Sequence, residues 1–258
     1  MSVGERILLY LSRRPSEEEY PKYDAGNAEG AALDLLTRVY PNFSALVSGK
    51  RVVDFGCGIG NQSIALVKEH GCWVVEVDSN KATLRRAMEN AKEHNVSPSQ
   101  LSFVGGVSPE MRESFDVVIS QNSFEHFPEP EMVLNEMSCL LSSSGVILIT
   151  FGPPWLAPYG SHMHFFCKVP WINILFPEKA VMKARSHFRS DGATTYEDVE
   201  SGLNRMTIAK FEFIVSSCNL KLIYKKYECV KEINCLSKVP LVRELFINHV
   251  TALLARAT

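Results

Sequence analysis

An apolar strand that runs straight into three alternate glycines leaves few folds open, and Val52-Val53-Asp54-Phe55-Gly56-Cys57-Gly58-Ile59-Gly60 is such a run. Only glycine takes the left-handed angles of a tight strand-to-helix turn and lets another group approach bare main chain. Nucleotide sites, phosphate sites and ordinary turns share such loops, so the meaning of this one depends on what lies about 20 residues downstream. There Trp73-Val74-Val75-Glu76-Val77-Asp78 supplies a second strand ending in a carboxylate. A carboxylate at that place accepts hydrogen bonds from a ribose diol in dinucleotide folds.

Strand and helix patterns alternate over residues 50–151, which argues for parallel strands joined by right-handed helical crossovers. Ile64, Ala65 and Val67 mark a helix that stops at Gly71, and the second strand begins at Cys72. Ser79 or Asn80 caps a helix with Leu84, Ala87, Met88 and Ala91 on one face and Arg85, Arg86 and Glu89 on the other. Residues 101–104, 115–120 and 145–151 read as three further buried strands. Pro130 suits the first turn of a helix presenting Val133, Met137, Leu140 and Leu141. Residues 29–40 read as an amphipathic helix beside the sheet edge, with Leu33, Leu36 and Val39 inward and Pro41 ending it. From 152 to about 189 the alternation breaks among prolines and aromatics, the mark of a functional loop or lid. Thr207 caps a helix with Phe211, Ile214 and Val215, Asn219 leads into a strand over 220–227, and 241–256 reads as helix, then strand.

Composition narrows the partner. At 258 residues and 46% apolar content the chain suits one large α/β domain or a domain with a substantial insertion. With 27 basic against 29 acidic residues and no basic stripe, nothing favours nucleic acid, and a small molecule is the expected partner. Ile7-Leu8-Leu9-Tyr10-Leu11 before Arg13 and Arg14 is too short for a signal peptide, and no apolar run reaches membrane-spanning length, so no stable membrane insertion is expected. Seven scattered cysteines without a C-x-x-C pair fit a reducing cytoplasm. Oligomeric state is left open.

The spacing of Gly56, Gly58 and Gly60, with Asp54 before and Asn61 to Ser63 after, departs from the G-x-G-x-x-G of nicotinamide enzymes. It resembles instead the first motif, V-D-x-G-C-G-x-G, of the class I S-adenosylmethionine-dependent methyltransferases, in particular the small-molecule, type 11-like group. Further matches follow in order: Val75-Glu76-Val77-Asp78, Phe115-Asp116-Val117-Val118-Ile119-Ser120, Phe124-Glu125-His126-Phe127 and Ser144-Gly145-Val146-Ile147-Leu148-Ile149. The resemblance covers most of residues 50–151. It implies a doubly wound, seven-stranded, mostly parallel sheet of Rossmann-like type, the last strand antiparallel, with an inserted lid after the fifth strand. The chain would be one methyltransferase domain: an N-terminal helical arm (1–48), a cofactor-binding core (49–151), a substrate lid (152–205) and a C-terminal helix and strands (206–258).

S-adenosyl-L-methionine is the implied cofactor. By the resemblance, Asp54, Gly56, Cys57, Gly58 and Gly60 meet its methionine part and Asp78 with Ser79 its ribose. Gly106, Val107, Gln121 and Asn122 fall where the family flanks adenine and sulfonium. One departure stands out: the family often carries an aspartate after the third strand for the adenine amino group, where this chain has Gly106. The backbone of Val107 or the hydroxyl of Ser108 is the available substitute.

Methyl transfer needs the acceptor aligned with the sulfonium methyl, and a hydroxyl acceptor also benefits from a general base. Histidine suits that task near neutral pH, and His126, His162 and His164 are the candidates. Glu125-His126 equally suits a role in orienting its loop. Of His162 and His164, one reads as a base and the other as a packing or surface residue; they share a face only if their segment is extended. Some ubiquinone-type O-methyltransferases carry E-x-x-E-H after the fourth strand, but Asn122 replaces the first acid here, which argues against a divalent metal site. Trp155, Tyr159 and Trp171 read as a substrate pocket or as core extension, and Tyr20 and Tyr23 as covers of the cofactor or as surface aromatics. The function expected is methylation of a small molecule, a sugar, a lipid-linked glycan or a secondary metabolite, first at oxygen. N- or C-methylation and a non-catalytic cofactor-binding or partner-regulating role are the alternatives.

Overall fold

The computed structural model describes residues 1–12, 31–56, 58–199, 202–232, 239 and 242–257. Tyr20, Tyr23 and Cys57 lie outside the described residues.

Seven strands form one sheet in the order β3-β2-β1-β4-β5-β7-β6. They are β1 (Arg51–Phe55), β2 (Trp73–Val77), β3 (Leu101–Val104), β4 (Phe115–Gln121), β5 (Leu141–Phe151), β6 (Leu220–Cys229) and β7 (Ile247–Arg256). The first five are mutually parallel, and β7 runs antiparallel between β5 and β6, as expected. Parallel strands covered on both faces should be apolar without alternation. Val52, Val53, Val117, Val118, Ile119, Ile147, Leu148 and Ile149 are accordingly all buried.

The two faces carry separate cores. Val53, Val118, Ile147 and Ile149 pack with α6 (Pro130–Leu140) and α9 (Ile208–Ser217). Val52, Val117, Ile119 and Leu148 pack with α2 (Asp34–Val39), α3 (Phe43–Val47) and α4 (Asn61–His70). The capping signals are met: Gly71 ends α4 at φ 63, Asn80 accepts from the amides of Ala82 and Thr83 to open α5 (Lys81–Glu93), and Thr207 accepts from Lys210 to open α9.

Three local expectations change. Met88 is 51% exposed, because α5 buries only the narrow arc of Leu84, Ala87 and Ala91. The helix expected over 29–40 is described only over α2, and it lies on the sheet's face, not at its edge. Its anchor is Tyr40, whose buried hydroxyl reaches the carbonyls of Ile149 at 2.8 Å and Ala252 at 3.0 Å across the β5–β7 seam. The stretch after β5 is more regular than its prolines suggested. It contains α7 (Ile172–Leu175) and α8 (Glu178–Arg185), and builds a third core from Met163, Phe166, Ile172, Val181 and Tyr196. Leu8 of α1 (Val3–Leu11) is buried in that same core.

Candidate active site at the carboxyl ends of the strands

The three glycines after β1 do different work. At Gly56 (φ +79) a Cβ would stand 2.8 Å from the Cβ of Ser123, and at Gly60 (φ +82) 2.8 Å from Oε1 of Glu76 and 3.2 Å from the Cβ of Ala87. These two let the loop press against the exit of β4 and against β2 and α5. Gly58 (φ +59) differs: among the described residues nothing lies within 4 Å of where its Cβ would be. Its bare backbone borders open space, the kind of surface a ligand can approach.

Around that opening the loop is tied down. The amide of Gly56 donates to Val77 O at 2.9 Å, and Ser123 Oγ lies 3.0 Å from both Gly56 O and Gln121 O. Asn90 Nδ2 reaches Ile59 O at 2.8 Å and Asn61 Oδ1 at 2.7 Å, fixing the entry to α4. Asp54 is buried and accepts from Ser63 Oγ at 2.8 Å and from Gln62; burial nevertheless pushes its carboxyl up to about 6. Asp54 therefore supports the loop from below. Asp78 is only half-buried and accepts amide hydrogens from Asn80, at 2.8 Å, and from Gly58. The carboxylate expected to hold a ribose is thus bonded to the one loop glycine that faces outward.

The sheet order sets the other strand ends beside these. Ser79 is exposed, and at Gly105 and Gly106 after β3 a Cβ would meet nothing within 4 Å among the described residues. Val107 is half-buried against the first core, and Ser108 bonds the carboxylate of Glu110. Gln121 ends β4, and Asn122 follows in a left-handed conformation (φ 51), its amide donating to Thr150 O at 2.9 Å. The outward-facing backbone of Gly58 next to Asp78, in line with glycines after β3 and an amide after β4, fits an adenosyl group carrying a ribose diol.

Two of the candidate histidines meet. His126, in a short turn after β4, and His162, in the stretch after β5, have ring centroids 5.5 Å apart and stand edge to face. Nδ1 of His126 lies 2.7 Å from Gly202 O and Nε2 of His162 lies 3.3 Å from Pro153 O. A carbonyl only accepts, so each of these nitrogens carries a hydrogen, and in a neutral ring the opposite nitrogen is the acceptor. Burial, then the neighbouring His126, lowers the His162 pKa to about 4. Glu125 beside them is buried and accepts from the Gly152 amide at 3.1 Å, bridging the exits of β4 and β5. His164 stands apart, exposed and edge-on to Tyr159 at 4.7 Å, because the left-handed turn at His162 (φ 55) breaks the extended geometry that would align the two.

The expected pocket aromatics go to separate neighbours. Trp155 packs on Tyr196 at 4.8 Å under the guanidinium of Arg205, Tyr159 on His164, and Trp171 on Phe246 at 6.1 Å. Ser123, Glu76 and Asn90 were not singled out from sequence, since only the folded loop shows what it presses against.

Residues 46–152 match the family model of a methyltransferase domain. A ubiquinone biosynthesis O-methyltransferase of Pseudomonas fluorescens is 30% identical over 105 residues, which are 40% of this chain and 45% of the relative. This segment is a class I S-adenosylmethionine-dependent methyltransferase domain. A sterol 24-C-methyltransferase of Aspergillus fumigatus is 34% identical over 101 residues, 38% of this chain and 26% of that protein. The chain therefore spans less than half the length of these curated relatives. Beyond the matched segment the fold carries the likeness: Haemonchus contortus phosphoethanolamine N-methyltransferase 2, solved with S-adenosyl-L-methionine, has a TM-score of 0.54 at 15% identity over 89% of this chain and 53% of that one. The methyltransferase relatives thus act at oxygen, carbon and nitrogen by their names.

Proposed function

We propose that the protein transfers a methyl group from S-adenosylmethionine to a small-molecule acceptor, at a hydroxyl oxygen. The observation that carries this reading is Gly58, open to ligand and bonded to Asp78, within a methyltransferase domain. When bound, the cofactor supplies an electrophilic methyl group. The chain's residues do the rest: Gly58 and Asp78 orient the donor, and the exits of β4 and β5 frame the place where an acceptor lies in line with it.

His126 is the base of this reading. Its Nδ1 hydrogen is committed to Gly202 O, which leaves Nε2 as the acceptor nitrogen. His162, with its pKa lowered to about 4, holds a proton too weakly for that task and instead positions the His126 ring edge to face. The third core, built from residues after β5 and completed by α1, serves as the cover over the site. Trp155, Tyr159 and Trp171 then shape that cover. Among the described residues Cys72, Cys139, Cys167, Cys218 and Cys229 form no disulfide, which supports a reducing cytoplasm. Among the described residues no helix is long and apolar enough to cross a membrane.

Calorimetry tests the cofactor first: S-adenosylmethionine and S-adenosylhomocysteine bind and NAD does not, whereas binding of NAD alone overturns the reading. With an acceptor found by S-adenosylhomocysteine release, His126→Asn lowers turnover about a hundredfold with cofactor affinity unchanged. Unaltered turnover removes His126 from the chemistry.

A further inference from the structure

On the sheet face covered by α2 to α4, the strand interiors are apolar up to the edge formed by the carboxyl ends of β4 and β5 and the amino-terminal half of antiparallel β7. Ile119 and Leu148 belong to that apolar core, and Leu253 packs against it. One step further along the same face stand Gln121, Thr150 and Thr251, aligned by the pairings Gln121↔Thr150 and Thr150↔Thr251. Directly paired residues share a face and lie about 5 Å apart, so three strands place three polar side chains side by side. Tyr40 marks the floor of the row, since its hydroxyl bonds the carbonyls of Ile149 and Ala252, the pair immediately below Thr150 and Thr251.

Two of the three side chains in the row carry an unmet polar atom. Thr150 and Thr251 are fully buried and Gln121 half-buried; Thr150 Oγ1 accepts from the Asn122 amide at 3.3 Å and donates to Asn122 Oδ1 at 3.4 Å, whereas among the described residues Oγ1 of Thr251 and Oε1 of Gln121 have no hydrogen-bond partner. A buried polar atom left unpaired costs about 1–3 kcal/mol, so such a group calls for a ligand or a water. The row also begins at the cofactor loop: the carbonyl of Gln121 and that of Gly56 lie within reach of one hydroxyl, Ser123 Oγ. Its far end is bounded by His249, two residues from Thr251 on the same face, with Nδ1 3.5 Å from the carboxylate of Glu228. Glu228 is itself paired with Lys226 at 3.1 Å.

We propose that Gln121, Thr150 and Thr251 form the acceptor subsite, and that it takes a neutral, hydroxyl-bearing group. The proposal rests on the methyltransferase reading for the word acceptor, but the subsite stands on the sheet itself. A hydroxyl both donates and accepts, which matches an amide oxygen beside threonine hydroxyls. A charged group would find no free countercharge in the row, and burying it there carries a desolvation penalty. The specificity elements thus come from β4, β5 and β7, on the face away from α6 and α9.

The test uses the full chain labelled at threonine methyl groups, saturated with S-adenosylhomocysteine and titrated with methyl α-glucoside and catechol, then with benzoate and butylamine. Expected are shifts of the Thr150 and Thr251 methyl signals with a neutral probe and not with the charged ones. Thr251→Val, which preserves shape, weakens the neutral probe about fivefold, and Gln121→Leu serves if that variant does not fold. Equal response to charged probes, or no response to any probe, overturns the subsite while S-adenosylhomocysteine binding keeps the methyltransferase reading intact. Absence of S-adenosylhomocysteine binding overturns that reading instead, and the threonine signals still judge the row.

Discussion

Gly58→Val lowers the affinity for S-adenosylmethionine more than about a hundredfold, roughly 2.7 kcal/mol, in isothermal calorimetry. Two causes add. The residue sits at φ +59, where a branched side chain is strained, and its Cβ would project into the space the ligand needs. Gly71 separates the two: it also has a positive φ (+63) with nothing within 4 Å of its Cβ among the described residues, but it ends α4 far from Asp78. Gly71→Val should therefore cost stability of the same order and leave the ligand's affinity unchanged. If both variants bind as the native chain does, the opening at Gly58 is not the cofactor's place.

Replacing Asp54 by asparagine changes the pH dependence of stability by about 2 kcal/mol between pH 4 and pH 7. The carboxyl has its folded pKa raised by burial from 3.8 to about 6. Below about pH 3.8 it is protonated in the folded and unfolded chain alike, and it costs nothing. Between the two values the unfolded chain loses the proton while the folded chain retains it, and above about 6 the folded chain must carry a buried charge. The native protein therefore loses stability from this group as pH rises, and the amide, which still accepts from Ser63, does not. Urea denaturation of both proteins at the two pH values measures the difference, and parallel changes in the two would show that Asp54 is ionised without penalty.

Residues whose role depends on their own backbone were legible in the sequence. Glycines at positive φ, Asn80 and Thr207 as caps, Gly71 as a stop and Asp78 at a strand end each announce a local geometry, and each is found at that place. What depends on register was not. Gln121 stands out in sequence only as a cofactor-flanking position, and its alignment with Thr150 and Thr251, single polar residues beside apolar runs, is created by pairing alone. The histidines fall between: His126 and His162 meet because the exits of β4 and β5 are adjacent, but the left-handed turn that sends His164 away carries no glycine to signal it. Trp155 and Trp171 look alike in sequence, yet one is committed to Tyr196 and Arg205 and the other to Phe246.

The seat of Leu8 among Val181, Tyr196 and their neighbours has a consequence for how the chain is made. During synthesis α1 emerges about 170 residues before the helix it must lie against, so its apolar side has no native surface to join until most of the sheet exists. The third core is then a late-closing structure of high sequence separation, and loop-closure entropy delays it relative to the local strand–helix units. Closing that core joins α1 to segments more than 150 residues further along, so α1 is the element whose release would loosen the third core first.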